Sequence, residues 1–411
     1  MAHMGKWNSQ TPYANEFEFI VEQEYSIPQS IDFWEYIMRN ASGWGLVTLK
    51  QDHMDEQVLL MNSTLQQVDV VRNWLLQQGR ACADHGISIM YCMDYPNFFM
   101  ESLEIGATAT HSRASNDYVP DDANRNWEVG VTSMLLWSIG LYPYKDTFYS
   151  DTEEVVLHPD AKFYNFTEPY PITHAVVSVL SAGPIAPSDG IGGANYSLII
   201  RTCRVDGMIL KPDRPAVTID RYWIAKTFGT EFISGEVGPK GEVWTTYSQL
   251  SALPSETWHY IIGINLFEDF QALPSDLLLP SAGNLVAFSY NSTTLGTIQN
   301  LTLFSAQQPL LIPKGHNYGD FTMWTIAPEI YPSAPILLGE VGKVLPLSTK
   351  RFSSVIAFPA ELIVNIIGAP GEVVTFALIP SISELTNIQQ ASCIVSASGT
   401  ITYYYSTGQC N

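Results

Sequence analysis

The sequence predicts an α/β region built on parallel strands, running to about residue 222, followed by an antiparallel β region over 223–411. Two observations carry this. Before residue 222, short apolar runs alternate with stretches whose apolar residues recur at helical spacing, the pattern of βα units. Beyond it, runs rich in Val, Ile, Thr, Phe and Tyr are divided by Gly, Pro, Asn and Ser, the texture of antiparallel strands and turns.

Taken in order, 31–39 and 68–85 read as amphipathic helices, and 44–49, 87–93, 107–115, 175–180 and 215–219 as short buried strands. Further helical patterns fall at 126–141 and 196–204. Five strands are too few for a closed (β/α)₈ barrel, which needs eight. In the second half, 241–247, 259–266, 285–290, 362–367, 373–379 and 399–405 read as strands of one or two small sandwiches. No internal repeat of fixed period and no low-complexity tract interrupts the chain.

With 411 residues, 46% of them hydrophobic, the chain can fill two or three cores. Its formal charge of -21 opposes sequence-independent binding to nucleic acid or anionic lipid, so the expected ligand is neutral, such as a sugar. No apolar run reaches the roughly 18 to 20 residues of a membrane-spanning helix, and no membrane partner is expected. Six Asn-X-Ser/Thr sequons, at Asn40, Asn62, Asn165, Asn195, Asn291 and Asn300, suit a secreted or lysosomal glycoprotein. The opening Met1-Ala2-His3-Met4-Gly5-Lys6 lacks the apolar core of a signal peptide, so either the natural start lies elsewhere or the protein is not exported. Five cysteines with no CxxC spacing signal neither a zinc site nor a disulfide scaffold, although Cys393 and Cys410 flank strand-like sequence and could pair across a hairpin.

Two acidic motifs carry the chemistry. Asp52, in Lys50-Gln51-Asp52, ends an apolar run, and Lys50 lies two residues before it on the same face of an extended strand. An ionised, oriented carboxylate of this kind can attack an anomeric carbon. The bland alternative is a helix N-cap. Asp117, in Arg113-Ala114-Ser115-Asn116-Asp117-Tyr118, follows another apolar run, where Tyr118 and Pro120 could desolvate a proton donor and Arg113 could bond a sugar hydroxyl. There the alternative is a polar turn. Asp94 also ends a strand-like run and could touch substrate, though a turn before Pro96 explains it equally. Asp146 and Asp189 lie in loops rich in Tyr, Pro and Gly. His53, His85, His111, His158, His174, His259 and His316 show no HxH or HxxxH grouping, so no metal is expected. Ser188-Asp189-Gly190-Ile191-Gly192-Gly193 lacks the GxGxxG and GK[ST] features of a phosphate loop.

These pieces, in this order, resemble glycoside hydrolase family 36 and its raffinose-synthase and alkaline α-galactosidase branch. Lys50-Gln51-Asp52 is similar to that family's Lys-X-Asp nucleophile motif at barrel strand four. Tyr91-Cys92-Met93 stands at the place of strand five, and Arg113-Ala114-Ser115-Asn116-Asp117-Tyr118-Val119-Pro120 resembles Arg-X-Ser-X-Asp-Phe/Tyr-X-Pro at strand six. Ser181-Ala182-Gly183-Pro184 with Ser188-Asp189 is similar to Ser-Gly-Gly-Pro-X-X-X-Ser-Asp, and Asp206-Gly207, Leu210 and Arg214-Pro215 continue the match. The resemblance covers about residues 44–220.

It implies a (β/α)₈ TIM-type barrel represented by strands four to eight over 1–222, and a β-sandwich region over 223–411. The implied activity is retaining, α-galactosidase-like hydrolysis of α-linked glycosides through a glycosyl-aspartate. Asp52 would be nucleophile and Asp117 acid/base; Lys50, Arg113, Asp94 and Asp189 would bind substrate, without a cofactor. Some relatives carry an aspartate at the position of Asn116, and were that the acid/base, this chain would be a knockout. Met54 stands where the family commonly has Gln or Asn, and strands one to three and an N-terminal β domain have no counterpart, as in a fragment or truncated product. The rivals are a raffinose-synthase-type transglycosylase, a non-catalytic carbohydrate-binding or truncated homologue, and a β-rich adhesion protein. A second copy could cover the open sheet edge, making a homo-oligomer.

Overall fold

The structure is a computed structural model; it describes residues 16–23, 25–118, 129–152, 167–228, 241–251, 253–279, 284–317 and 319–411. The chain divides into two compact units: Met1–Asn116 with Leu135–Tyr144, and Asp117–Met134 with Lys145–Asn411.

The first unit opens with an antiparallel hairpin, β1 (Phe19–Glu22) and β2 (Tyr25–Pro28). Helix α1 (Ile31–Gly43) follows, started by Ser30, whose hydroxyl accepts the Asp32 N–H. It buries Phe33, Trp34, Met38 and Ala41, one stripe at helical spacing. Next come β3 (Thr48–Gln51), the short helices α2 (Met54–Leu59) and α3 (Asn62–Gln66), and α4 (Val68–Asp84). Glu22 accepts the Asn62 and Ser63 N–H groups at 2.6 and 2.8 Å, satisfying donors at the start of α3 that have no partner within the helix. The unit continues with β4 (Ser88–Tyr91), α5 (Pro96–Glu101) and β5 (Ala109–Arg113); after α6 (Val129–Ser138) comes β6 (Tyr142–Tyr144). Strands β3, β4, β5 and β6 form a parallel sheet in that order. Gly79 of α4 lets the segment 102–108 lie close: a Cβ there would meet Ile105 at 2.6 Å.

The parallel sheet with helical connections is as expected, but its membership differs. The run 175–180, read as a strand, is part of helix α7 (Pro171–Leu180), in which nine of ten residues are buried. The 215–219 strand shrinks to β7 (Val217–Thr218) and pairs antiparallel with β8 (Glu242–Gln249). The expected helix at 196–204 is the four-residue α8 (Tyr196–Ile199), and α9 (Asp220–Phe228) precedes β8. Strand β6 was not expected: Pro143 sits in it, tolerated because β6 is an edge of the described sheet. With four parallel strands among the described residues, no closed barrel is formed there.

The second unit is mainly antiparallel. Its remaining strands are β9 (Thr257–Ile264), β10 (Phe270–Ala272), β11 (Leu285–Asn291), β12 (Gln299–Phe304), β13 (Leu310–Ile312), β14 (Phe321–Pro328), β15 (Ile336–Glu340), β16 (Phe352–Phe358), β17 (Glu361–Ile367), β18 (Val373–Ile379), β19 (Gln389–Ile394), β20 (Thr400–Tyr404) and β21 (Gln409–Cys410). The large sheet runs β12-β11-β14-β9-β8-β7. Alternate residues of β9 leave on opposite faces. Ile261 packs in a cluster with Val243, Ala287, Trp324, Phe270 and Ile312. On the other face, Trp258 Nε1 and Tyr260 O–H donate to the Leu337 and Leu347 carbonyls at 2.9 and 2.5 Å. Sheets β15-β18-β19 and β16-β17-β20-β21 face each other through Phe376, edge-on to Phe352 and Tyr403. The Cys393–Cys410 disulfide ties β19 to β21, the pairing the sequence suggested.

Candidate functional site

The parallel sheet of the first unit collects Lys50, Asp52, Cys92, Asp94 and Arg113 at the carboxyl ends of β3, β4 and β5, the end at which α/β sheets present ligand-binding groups. Gln51 pairs with Tyr91, and Tyr91 with Ser112, so the residues just beyond them emerge side by side.

Asp52 does not cap α2. The N-cap is His53, left-handed at φ 54°, while the Asp55 N–H is satisfied by the Met93 carbonyl. Asp52 instead accepts the His53 N–H at 2.8 Å and stands 4.0 Å from the Lys50 ammonium. Its backbone is fixed by buried amides: Gln51 donates to the Asp52 carbonyl and accepts from Gln78 of α4 at 2.6 Å. Burial pushes the Asp52 carboxyl up, but the His53 N–H, the Cys92 thiol and Lys50 outweigh it and hold it below the usual aspartate value. Burial raises Cys92 itself to about 11, so it remains a protonated donor. Met93, next to Cys92, is also left-handed at φ 51°. Two non-glycine residues in this conformation beside one carboxylate are the backbone strain that functional sites accumulate.

Asp94 has a different environment. It accepts Ser112 Oγ–H at 2.8 Å, and burial raises its carboxyl to about 6 despite that bond and the nearby Arg113. One strand end thus carries a carboxylate held ionised and its neighbour a carboxyl that holds its proton towards neutrality, the division of labour acid/base chemistry requires.

The other sequence-predicted residues fall elsewhere. Asn116 and Asp117 are exposed, Asn116 in the first unit and Asp117 opening the second. Asp189 accepts the Ser150 N–H and Oγ–H at 2.6 and 2.8 Å, one on each carboxylate oxygen, so it organises the loop that leads to Asn195. Among the sequons, Asn62 and Asn300 are exposed. Asn40 donates to the Tyr36 carbonyl within α1, Asn195 caps α8 by accepting the Leu198 N–H, and Asn291 accepts from Thr293 and Thr294 in a turn. Asn165, Pro120 and His158 lie outside the described residues. Among the described residues no group of three or more His, Cys, Asp or Glu could hold a metal ion, and no helix is long and apolar enough to cross a membrane.

No family model matches the chain. A galactinol–sucrose galactosyltransferase of Oryza sativa subsp. japonica is 25% identical over 130 residues, which is 32% of this chain and 15% of that protein. The chain therefore matches only a small part of this relative's length. Among solved structures, an α-galactosidase from Saccharomyces cerevisiae aligns at TM-score 0.44 and 11% identity, covering 74% of this chain and 76% of that one. A glycoside hydrolase family 97 enzyme from Pseudoalteromonas sp. strain K8, solved with panose, aligns at TM-score 0.34 and 9% identity, over 72% of this chain and 49% of that one.

The residues missed from the sequence are those that act through burial. Cys92 lies in a motif that gives it no role, and Gln51 and Gln78 look like ordinary polar residues, yet both are fully buried. In the second unit Lys145, Glu168 and His174, the buried polar partners of Tyr118, likewise had no motif.

Proposed function

We propose that this chain is the part of a glycoside-processing enzyme that carries a retaining, α-galactosidase-like reaction on α-linked galactosides. The observation that carries the reading is Asp52: a carboxylate at a parallel-strand end, kept ionised by the His53 N–H, the Cys92 thiol and Lys50. The similarity to a galactosyltransferase and the ordered family motifs support it. Asp52 attacks the anomeric carbon while Asp117 protonates the leaving oxygen; Asp117 then takes a proton from the acceptor hydroxyl that displaces Asp52, giving net retention. Arg113, Lys50 and Asp189 are proposed to bind sugar hydroxyls. Residues 1–222 are the barrel-like catalytic part in this reading, and 223–411 the β region.

A second assignment of the proton donor is favoured by one observation: Asp94, raised to about 6, is the acid whose environment retains a proton. Whether water or a sugar hydroxyl is the acceptor separates hydrolase from transglycosylase, and product analysis with acceptor sugars reads this directly. The sequons lead us to propose an exported glycoprotein carrying glycans on the exposed Asn62 and Asn300, which an endoglycosidase mobility shift tests.

The decisive experiment is incubation of the folded chain with a mechanism-based α-galactosidase label, followed by peptide mass spectrometry. Label on the peptide carrying Asp52, lost in Asp52→Asn, is the expected result. Label elsewhere, or none on a folded chain, would remove the galactoside reading.

A further inference from the structure

Directly beyond Asp117 the second unit holds a buried polar cluster that joins Tyr118, the last described residue of the Asp117 motif, to Lys145, Glu168 and His174, to which neither motif nor comparison assigns a role. Tyr118 is fastened at both ends: its backbone N–H donates to Asp146 Oδ2 at 2.8 Å, and its phenol to Glu168 Oε2 at 2.6 Å. Glu168 is 0% exposed. The same oxygen lies 3.1 Å from His174 Nε2, and its other oxygen accepts the Tyr170 N–H at 2.6 Å. The Tyr118 ring meets His174 edge-on at 5.3 Å between centroids, and the buried Lys145 Nζ stands 5.1 Å over that ring. Lys145 donates in turn to the carbonyls of Asp146 and Thr147.

The protonation states agree with this geometry. Burial drives His174 down to about 4, so a neutral imidazole donates its Nε2–H to Glu168. Burial opposes ionisation of Glu168, yet the His174, Tyr118 and Tyr170 donors hold it below the ordinary glutamate value. Burial, reinforced by the Glu168 charge, keeps the Tyr118 hydroxyl protonated and donating.

Taking a carboxylate out of water is costly even when it is paired. Apolar packing alone could seat a tyrosine ring; what hydrogen bonds add is a fixed direction. We propose that Glu168 is a positioning residue: through the Tyr118 hydroxyl it fixes the chain immediately beyond Asp117, so that the Asp117 carboxyl is presented in one orientation for proton transfer. The inference rests on the reading of Asp117 as the proton donor.

The test exploits the leaving group. A 2,4-dinitrophenyl α-galactoside leaves as a stable phenolate without protonation, whereas methyl α-galactoside must receive a proton on its departing oxygen. Kinetics on both substrates are measured for the parent, Asp117→Asn, Tyr118→Phe and Glu168→Gln, with thermal melting to confirm folding. In kcat/KM, which reads transfer of the sugar to Asp52 alone, Asp117→Asn should lose about 10²- to 10⁴-fold more on the methyl than on the aryl substrate. Tyr118→Phe and Glu168→Gln should show the same split in kcat/KM at about tenfold, carried on the methyl substrate by kcat with KM unchanged. Tyr118→Phe keeps the ring and serves if Glu168→Gln fails to fold. Equal losses on both substrates, or none, with the Asp117→Asn split intact, overturn the positioning role alone. An Asp117→Asn variant without a split, or a parent inert on both substrates, overturns the reading of Asp117 and this inference with it.

Discussion

Replacing Asp94 by Asn should stabilise the protein at neutral pH and leave it unchanged in acid. A buried acid whose folded pKa lies above its unfolded value binds its proton more tightly when folded, so stability falls as pH rises between the two values and is level above them. For Asp94 the window runs from the ordinary 3.8 to about 6. At about 1.36 kcal/mol per pH unit the full penalty is about 3 kcal/mol, and partial solvent access brings the expected value to about 1–3 kcal/mol. Asparagine is neutral throughout, and its side-chain oxygen can still accept the Ser112 hydroxyl that Asp94 accepts at 2.8 Å. Urea denaturation of parent and Asp94→Asn at pH 3.5, 5 and 7 is the assay: coincident midpoints at pH 3.5, with the variant progressively more stable towards pH 7. A variant no more stable than the parent at pH 7, or equally shifted at every pH, would refute the account of Asp94 as a carboxyl that burial holds protonated. If activity falls while stability rises, the carboxyl is retained for function, the usual trade at such sites.

Three further outcomes follow from the second unit. Arg351 is buried, donating to Glu340 at 2.7 Å and to Glu372 at 2.5 Å; Arg351→Met leaves Glu340 with Lys343 at 3.9 Å and Glu372 with the Ala369 and Val205 N–H groups, and should cost about 3–5 kcal/mol at pH 7, less near pH 4 as the carboxylates take up protons, read by urea denaturation. A loss under about 1 kcal/mol would show that these charges are solvated after all. The Cys393–Cys410 bridge spans 17 residues, for which loop closure contributes about 3 kcal/mol; reductant or Cys410→Ser should lower the melting temperature of the C-terminal sandwich, and an unchanged melt would count against the pairing. A Cβ at Gly130 would lie 2.2 Å from the fully buried Trp244 indole, so Gly130→Ala should destabilise by about 1–3 kcal/mol in thermal denaturation, with a change in tryptophan fluorescence.

Helix α7 shows where reading from sequence stops. Its Ala175-Val176-Val177-Ser178-Val179-Leu180 run is β-branched and almost continuously apolar, the composition of a buried strand, because nearly every residue of the helix is covered. Pro171 at the first helical turn was the local clue. Strand β6 failed in the opposite direction, since a three-residue segment with a central proline gives no periodic signal; its place is fixed by Ser112, which pairs with Pro143. In the antiparallel half the six runs read as strands are β8, β9, β11, β17, β18 and β20, while β14, inside the large sheet between β11 and β9, was not among them.

For the candidate site, the sequence by itself placed Asp52, Asp94 and Arg113 at the ends of strands, since an apolar run that stops at a charged residue marks a strand leaving the core. It also supplied the ordered motifs, the acidic balance and the cysteine pair. Tertiary structure alone decided the ionisation of each group. Asp52 stays charged because Cys92 and the His53 N–H point at it, and Asp94 resists ionisation because the fold removes water from it. Likewise, Tyr118, Lys145, Glu168 and His174 become one cluster only when segments dozens of residues apart are folded together. Desolvation and hydrogen bonding depend on which groups meet in space, and no local pattern in the chain encodes that.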